Sequence, residues 1–164
     1  MTSGDAHGAD AATGSVTIDR LVDPSDIDLV ALLTACVADL NERYPDYSPD
    51  PVVAGAEYFV ARLDGRPVGC VGIRDVGGGR GEIKRMFVAV EGRRRGIAAR
   101  LVDALEHRAA DRGMTSVVLE TGIRQPEAIA LYIAVGYTPI DAFGEYANSP
   151  LSRCLGKDMP DTHL

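Results

Sequence analysis

A chain of 164 residues is a soft prior for one domain, and such a domain buries roughly 70% of its unfolded surface without disulfides or metal. The net charge of −7, from 17 basic and 24 acidic residues, repels phosphate backbones, and a chain with no Trp and 5% aromatics lacks stacking platforms for single-stranded nucleic acid. No run approaches the roughly 20 apolar residues of a membrane span, and MTSGDAHGADAATGS has no basic stretch followed by an apolar one, so no signal peptide is expected.

Residues 1–14 are small and polar and read as a disordered tail, leaving 15–164 as a single domain. SVTIDRL (15–21) alternates as a strand does. Asp23 then reads as the N-cap of a helix with Pro24 at its first position, and Ile27, Val30, Leu33, Val37 and Leu40 carry a helical period to about Arg43. The Pro- and Tyr-rich loop from Tyr44 to Pro51 follows, with room for one helical turn before Glu57. Strands are expected over 58–63 and 68–74, joined by the hairpin signal Asp64-Gly65. The run GGGRG (77–81) mimics a phosphate loop, but a strand (82–88) follows it instead of a helix N-terminus, so it reads as a flexible connector.

After Val90-Glu91-Gly92 and an arginine run, a helix is expected to about Arg112, with a stripe of Ile97, Leu101 and Leu105, Ala98 and Val102 beside it, and Gly113 as its stop. SVVLE (116–120) is apolar enough for a central strand buried on both faces. Pro126 opens a third helix that Gly136 closes, and strands at 137–140 and 152–155 end the fold. This mixed order indicates an α/β or α+β sheet with helices on both faces. Cys36, Cys70 and Cys154, odd in number and far apart, read as buried small hydrophobes in a reducing cytoplasm. His7, His107 and His163 show no metal-ligand spacing, and no metal is expected.

The most informative stretch is strand, Arg93-Arg94-Arg95-Gly96-Ile97-Ala98, helix. A helix N-terminus offers unpaired N–H groups and partial positive charge, glycine allows close backbone approach, and three arginines add charge. Physically this is a pyrophosphate site; the plainer reading is a solvated basic turn.

EIKRMFVAVEGRRRGIAARLV resembles motif A of the GNAT superfamily of acetyl-CoA-dependent N-acetyltransferases, with Arg93, Gly96 and Ala98 at its defined positions. LETGIRQPEAIALYIAVGY resembles the family's later motif, and the element order matches from about 15 to 158, with a bacterial small-molecule subgroup nearest in its wording. The resemblance implies a mixed, mostly antiparallel sheet of six to seven strands, splayed in the middle and flanked by three to four helices. It implies acetyl-CoA as cosubstrate, with the backbone of Met86, Phe87 and Val88 along the pantetheine arm. Arg93, Arg94, Arg95, Gly96, Ile97, Ala98 and Ala99 would lie at the pyrophosphate, and Gln125 where many members have a cofactor-contacting Asn. Arg94 replaces a frequent glycine, Val90 a frequent proline, and Gln125 is longer than Asn. Tyr132 occupies the position of the Tyr that protonates the leaving thiolate, although its helical spacing with Ala128, Ile129 and Val135 also suits a core residue.

The chemistry asks for a base, because an alkyl ammonium is no nucleophile until it loses a proton. Glu82, eleven residues before Arg93, and Glu120, twelve before Tyr132, are the two candidates, with ordered water or the substrate itself as the third. Lys84 shares a strand face with Glu82 while Arg85 faces the other way, and either can hold a carboxylate on the acceptor or form a structural ion pair. Tyr44 and Tyr47 fall where members shape the acceptor site. The expected reaction is direct acetyl transfer to a primary amine of a small molecule, in the cytoplasm, with no nucleic acid or membrane partner and a homodimer as an open possibility. The alternatives are a protein N-terminal or lysine acetyltransferase, and a non-enzymatic acyl-CoA-binding regulatory module.

Overall fold

A computed structural model describes residues 14–160. Apart from Gly14, the expected tail lies outside the described residues, as do His7 and His163. The element order is the expected one: β1 (Val16–Val22), α1 (Ile27–Arg43), β2 (Glu57–Leu63), β3 (Arg66–Gly77), β4 (Arg80–Val88), α2 (Ile97–Asp111), β5 (Ser116–Gly122), α3 (Pro126–Ala134), β6 (Thr138–Pro139) and β7 (Ser152–Asp158). Short 3-10 turns are added at Val90–Gly92 and Gly144–Tyr146, and none forms between Tyr44 and Glu57. The strands make one sheet in the order β1-β2-β3-β4-β5-β7-β6, antiparallel everywhere except β4 against β5.

Local chemistry accounts for most boundaries. Asp64 (φ 51°) and Gly65 (φ 82°) are both left-handed, the backbone that suits a two-residue hairpin between right-twisted strands. Gly78 (φ 63°) and Gly79 (φ 77°) do the same between β3 and β4, so the glycine run is a tight hairpin and not a flexible connector. Both long stops are Schellman closures: Gly113 and Met114 donate to Ala110 and Ala109 after α2, and Gly136 and Tyr137 to Ile133 and Tyr132 after α3. The start of α1 corrects the sequence reading. Asp26 is the N-cap, accepting from the Leu29 N–H at 3.0 Å, while Asp23 binds both the N–H and the hydroxyl of Ser25 in a preceding turn. The inward face is accordingly Leu29, Leu32, Leu33, Cys36 and Val37, and Ile27 stands exposed.

Both faces of the sheet are buried. Phe59, Ala61 and Ile83 pack with Ile97, Leu101 and Leu105 of α2 and Tyr132 of α3. Tyr58, Val60 and Cys70 pack on the other face with Leu29 and Leu33 of α1. All three cysteines are buried and unpaired, as expected.

Two irregularities open the sheet. The parallel register of β4 and β5 runs only from Arg80↔Ser116 to Ile83↔Leu119; beyond it β4 stays with β3 and β5 with β7. Just past that point Cys70 pairs with Phe87 and Gly72 with Lys84, so Val71 alone faces both Arg85 and Met86. This is a bulge, and Arg85 adopts a left-handed φ of 55° in it. The strand bends there, and a wedge opens between the two halves.

Candidate active site

The wedge holds a cavity of about 560 Å³, walled by Ile83–Phe87 of β4, Leu119–Gly122 of β5, the end of α1 with Tyr44 to Tyr47, and Tyr132, Tyr146 and Ser152. It brings together Met86, Phe87, Lys84, Arg85, Tyr44, Tyr47, Glu120, Gln125 and Tyr132. Val88, Arg93 to Ala99 and Glu82 lie outside its walls.

Along β4 past Ile83 no strand among the described residues pairs on the β5 side, which leaves room for an extended arm beside Met86 and Phe87. Below lies the start of α2. Arg94 (φ 62°) and Gly96 (φ 70°) are left-handed, and alternating handedness of this kind curls successive N–H groups toward one point. Gly96 is the N-cap and supplies no side-chain acceptor, the first turn carries no acidic residue, and a Cβ at Gly96 would meet open space. Arg93 reaches back to the Val88 carbonyl at 3.2 Å, and Arg93, Arg94, Arg95 and Gly96 are exposed. Ile97 turns into the core, so its part in any anion site is played by its backbone. An uncapped, cation-flanked helix start fits a pyrophosphate. Arg94 fills, at a strain of about 1 kcal/mol, a left-handed position that glycine fills freely.

The carboxylates have different surroundings. Glu82 is 2% exposed and held by Arg74 at 3.2 Å and Lys84 at 3.0 Å. Glu120 lines the cavity. Burial pushes its carboxyl above the ordinary value, with Glu82 and Glu145 adding to that and Ser152 and Lys84 opposing it. Lys84 also donates to the Tyr146 hydroxyl at 2.9 Å.

Tyr132 lies both in the core and on the cavity wall. It is 4% exposed, belongs to the core, meets Tyr137 edge-on at 5.6 Å, and also reaches the cavity. Burial pushes its phenol upward, so it stays protonated. Its hydroxyl makes no hydrogen bond among the described residues. Gln125 is the residue before α3, and its Oε1 accepts from the Gly122 N–H at 3.3 Å. Tyr44 lines the cavity and is tied to the β5–α3 connection: its hydroxyl accepts from the Arg124 N–H at 3.0 Å, Arg124 lies over its ring, and Arg43 and Arg124 exchange hydrogen bonds to each other's carbonyls.

Arg85 departs from the expected side. Strict alternation would point it with Ile83 toward α2. The bulge instead turns it toward α1, where it donates to the carbonyls of Pro51 (3.3 Å) and Asp50 (3.0 Å) and lowers the Cys36 thiol against the upward push of burial. Sequence reasoning missed Tyr146, Arg124 and Ser152. For Tyr146 the available signal was the stretch 141–151, long for a connection between strands.

The profile of the acetyltransferase (GNAT) family matches residues 28–137. An IAA acetyltransferase of Azospirillum brasilense is 41% identical over 103 residues, covering 62% of this chain and 67% of that protein. The chain spans a smaller share of other curated relatives, 40% for N-acetyltransferase 8 of Rattus norvegicus. A Klebsiella pneumoniae protein described as an acyl-CoA N-acyltransferase superposes with a TM-score of 0.75 at 34% identity, covering 88% of this chain and 97% of that one. A GNAT family acetyltransferase of Elizabethkingia anophelis, solved with acetyl-CoA bound, shares the fold at a TM-score of 0.63 and 18% identity, over 87% of this chain and 97% of its own. With a split mixed sheet and a matching profile over most of its length, the chain belongs to the acetyltransferase (GNAT) family and is an acyl-CoA-dependent acetyltransferase domain.

Proposed function

We propose that this domain moves the acetyl group of acetyl-CoA directly onto a primary amine of a small molecule. One observation carries the reading: β4 is unpaired on the β5 side past Ile83 and leads on to an uncapped, arginine-flanked helix start, beside a cavity lined by the buried Tyr132 and the half-buried Glu120. The bound cosubstrate supplies an activated thioester. The N-terminal N–H groups of α2, with Arg93 to Ala99 around them, hold the pyrophosphate. Met86, Phe87 and Val88 align the pantetheine arm where β5 has left β4.

Glu120 takes the proton from the acceptor ammonium, directly or through water. It faces the cavity and its raised pKa makes it a better proton acceptor near neutrality. Glu82 serves as structural counter-ion to Arg74 and Lys84. A β4 N–H in the open half of the strand stabilises the developing oxyanion. Tyr132, kept protonated and making no hydrogen bond among the described residues, donates to the departing sulfur. Small-molecule acceptors are supported by the A. brasilense relative, named for IAA, and by a cavity of a volume that suits a small ligand. The unpaired, buried cysteines suit the cytoplasm.

The test is free-thiol release from acetyl-CoA with a panel of amines. Amine-dependent thiol supports the reading. Cofactor affinity with no amine-dependent thiol returns the domain to a binding module, and acetylation of peptides alone redirects it to protein substrates.

A further inference from the structure

We propose that the acceptor is an amino-carboxylic acid and that Arg85 binds its carboxylate. The inference rests on the acetyl-transfer reading of the cavity and names the substrate class. Lys84 and Arg85 are neighbours on β4 and both line the cavity, yet their charges are in different states. Lys84 is compensated inside the protein by Glu82 at 3.0 Å and by the Tyr146 hydroxyl. Arg85 forms no ion pair with a carboxylate among the described residues. Its Nε and Nη2 donate to main-chain carbonyls, which fix the guanidinium without cancelling its charge.

This is exceptional in the molecule. The other half-buried basic side chains, Arg43, Arg62, Arg74, Lys84, Arg108 and Lys157, each hold a carboxylate within 4 Å. Arg85 alone among the described half-buried cations has none, in a chain with seven more acids than bases. A desolvated cation without a counter-ion is costly unless a ligand supplies one.

The acids around it are engaged elsewhere or stand apart. Asp39 of α1 pairs with Arg43 at 3.6 Å, and Asp50 accepts the Val52 N–H at 3.1 Å. Asp46, Glu120 and Glu145 line the cavity and none of them pairs with Arg85. The cavity therefore has a cationic corner at Arg85 and an anionic wall that includes Glu120, the pattern complementary to a zwitterion. The bulge supplies the aim, because a regular strand would bury this side chain toward α2. A strained, left-handed arginine held by two carbonyls is a preorganised anion receptor, with little entropy left to lose on binding.

The experiment compares acceptors that differ only in the carboxylate, phenylalanine against phenethylamine and γ-aminobutyrate against propylamine, by acetyl-CoA-dependent thiol release. We expect kcat/KM for at least one amino acid to exceed that of its decarboxylated partner roughly ten- to hundredfold, the range of one charge-assisted hydrogen bond. Arg85→Gln should bring that ratio near one, and Arg85→Lys should restore part of it, with the thermal shift by acetyl-CoA reporting that each variant is folded. A second measurement needs no variant: 3-phenylpropionate should inhibit the wild-type protein at least about tenfold better than 3-phenylpropanol. Equal kcat/KM within each pair, or a ratio that survives Arg85→Gln, overturns the assignment and leaves acetyl transfer standing. Absence of acceptor-dependent thiol release with every amine overturns the acetyl-transfer reading itself, and the substrate class with it.

Discussion

Gly122→Ala tests whether the end of β5 and the loop after α1 act as one mechanical unit. A Cβ built on Gly122 overlaps the Tyr44 hydroxyl and stands 2.5 Å from its Cζ. The ring must withdraw by roughly 1 Å to regain ordinary contact near 3.5 Å. The hydroxyl then loses the Arg124 N–H, now at 3.0 Å, and the ring loses the guanidinium 5.1 Å from its centroid. One hydrogen bond contributes about 1 kcal/mol and an exposed cation–π pair about 0.5–1 kcal/mol, so the loss is about 1.5–2 kcal/mol. For a domain of this size that lowers Tm by roughly 3–8 °C, measurable by circular dichroism. The same substitution in a Tyr44→Ala background should be close to neutral, because no ring is left to displace, giving a coupling energy of about 1.5 kcal/mol. An unchanged Tm for Gly122→Ala, or an equal loss in both backgrounds, would refute the clasp between Tyr44 and the β5–α3 bend.

Acetyl-CoA at a hundredfold excess over its Kd should stabilise the domain by about 2.7 kcal/mol, and Gly96→Val should abolish that shift, because valine does not accept a φ of 70°; a normal shift in Gly96→Val removes the pyrophosphate from α2. Tyr132→Phe should lower kcat by one to three orders of magnitude (roughly, as for general acids) and leave acetyl-CoA binding intact; unchanged turnover assigns Tyr132 to the core alone. Glu120→Gln should lower turnover roughly 10²–10⁴-fold and remove the acidic limb of the pH–rate profile, which in the parent lies above the ordinary glutamate value. Its stability should move oppositely. The carboxyl of Glu120 has a folded-state pKa above its unfolded one, so the parent loses stability as pH rises through the folded value; the variant should melt higher at pH 7 and converge with the parent below about pH 4.

Much of the architecture was readable because its punctuation is local. Asp64-Gly65, Gly113, Pro126 and Gly136 each impose backbone geometry through their own residue chemistry. The start of α1 was misplaced because Asp23 and Asp26 are both competent caps, and only the bond from Ser25 to Asp23 removes the first from contention. The local geometry of the proposed anion cradle is legible for the same reason as the turns, being strand, loop and helix start in one stretch. Glu82 and Glu120 were not separable, because the Arg74 that captures Glu82 arrives across a strand pairing. Arg85 was assigned the wrong side because alternation holds only for unbroken strands, and one extra residue in β4 reverses it. Tyr146 and Arg124 come from loops whose approach is decided by tertiary packing, which no short motif encodes.

The burial of the three cysteines has a practical consequence for detection. Acetyl transfer is followed through the thiol it liberates, and a protein with reactive thiols of its own would blur that signal. Cys70 and Cys154 are buried with their thiols pushed upward, and Cys36, on the cavity wall, is pushed up to about 11. At pH 8 only about one Cys36 in a thousand is thiolate, the form that reacts with a disulfide reagent. The folded domain is thus nearly silent to such a reagent, and its own thiols surface only as it opens. Slow labelling of Cys36, retarded when acetyl-CoA or an acceptor fills the wedge, becomes a clock for how often an empty cavity breathes.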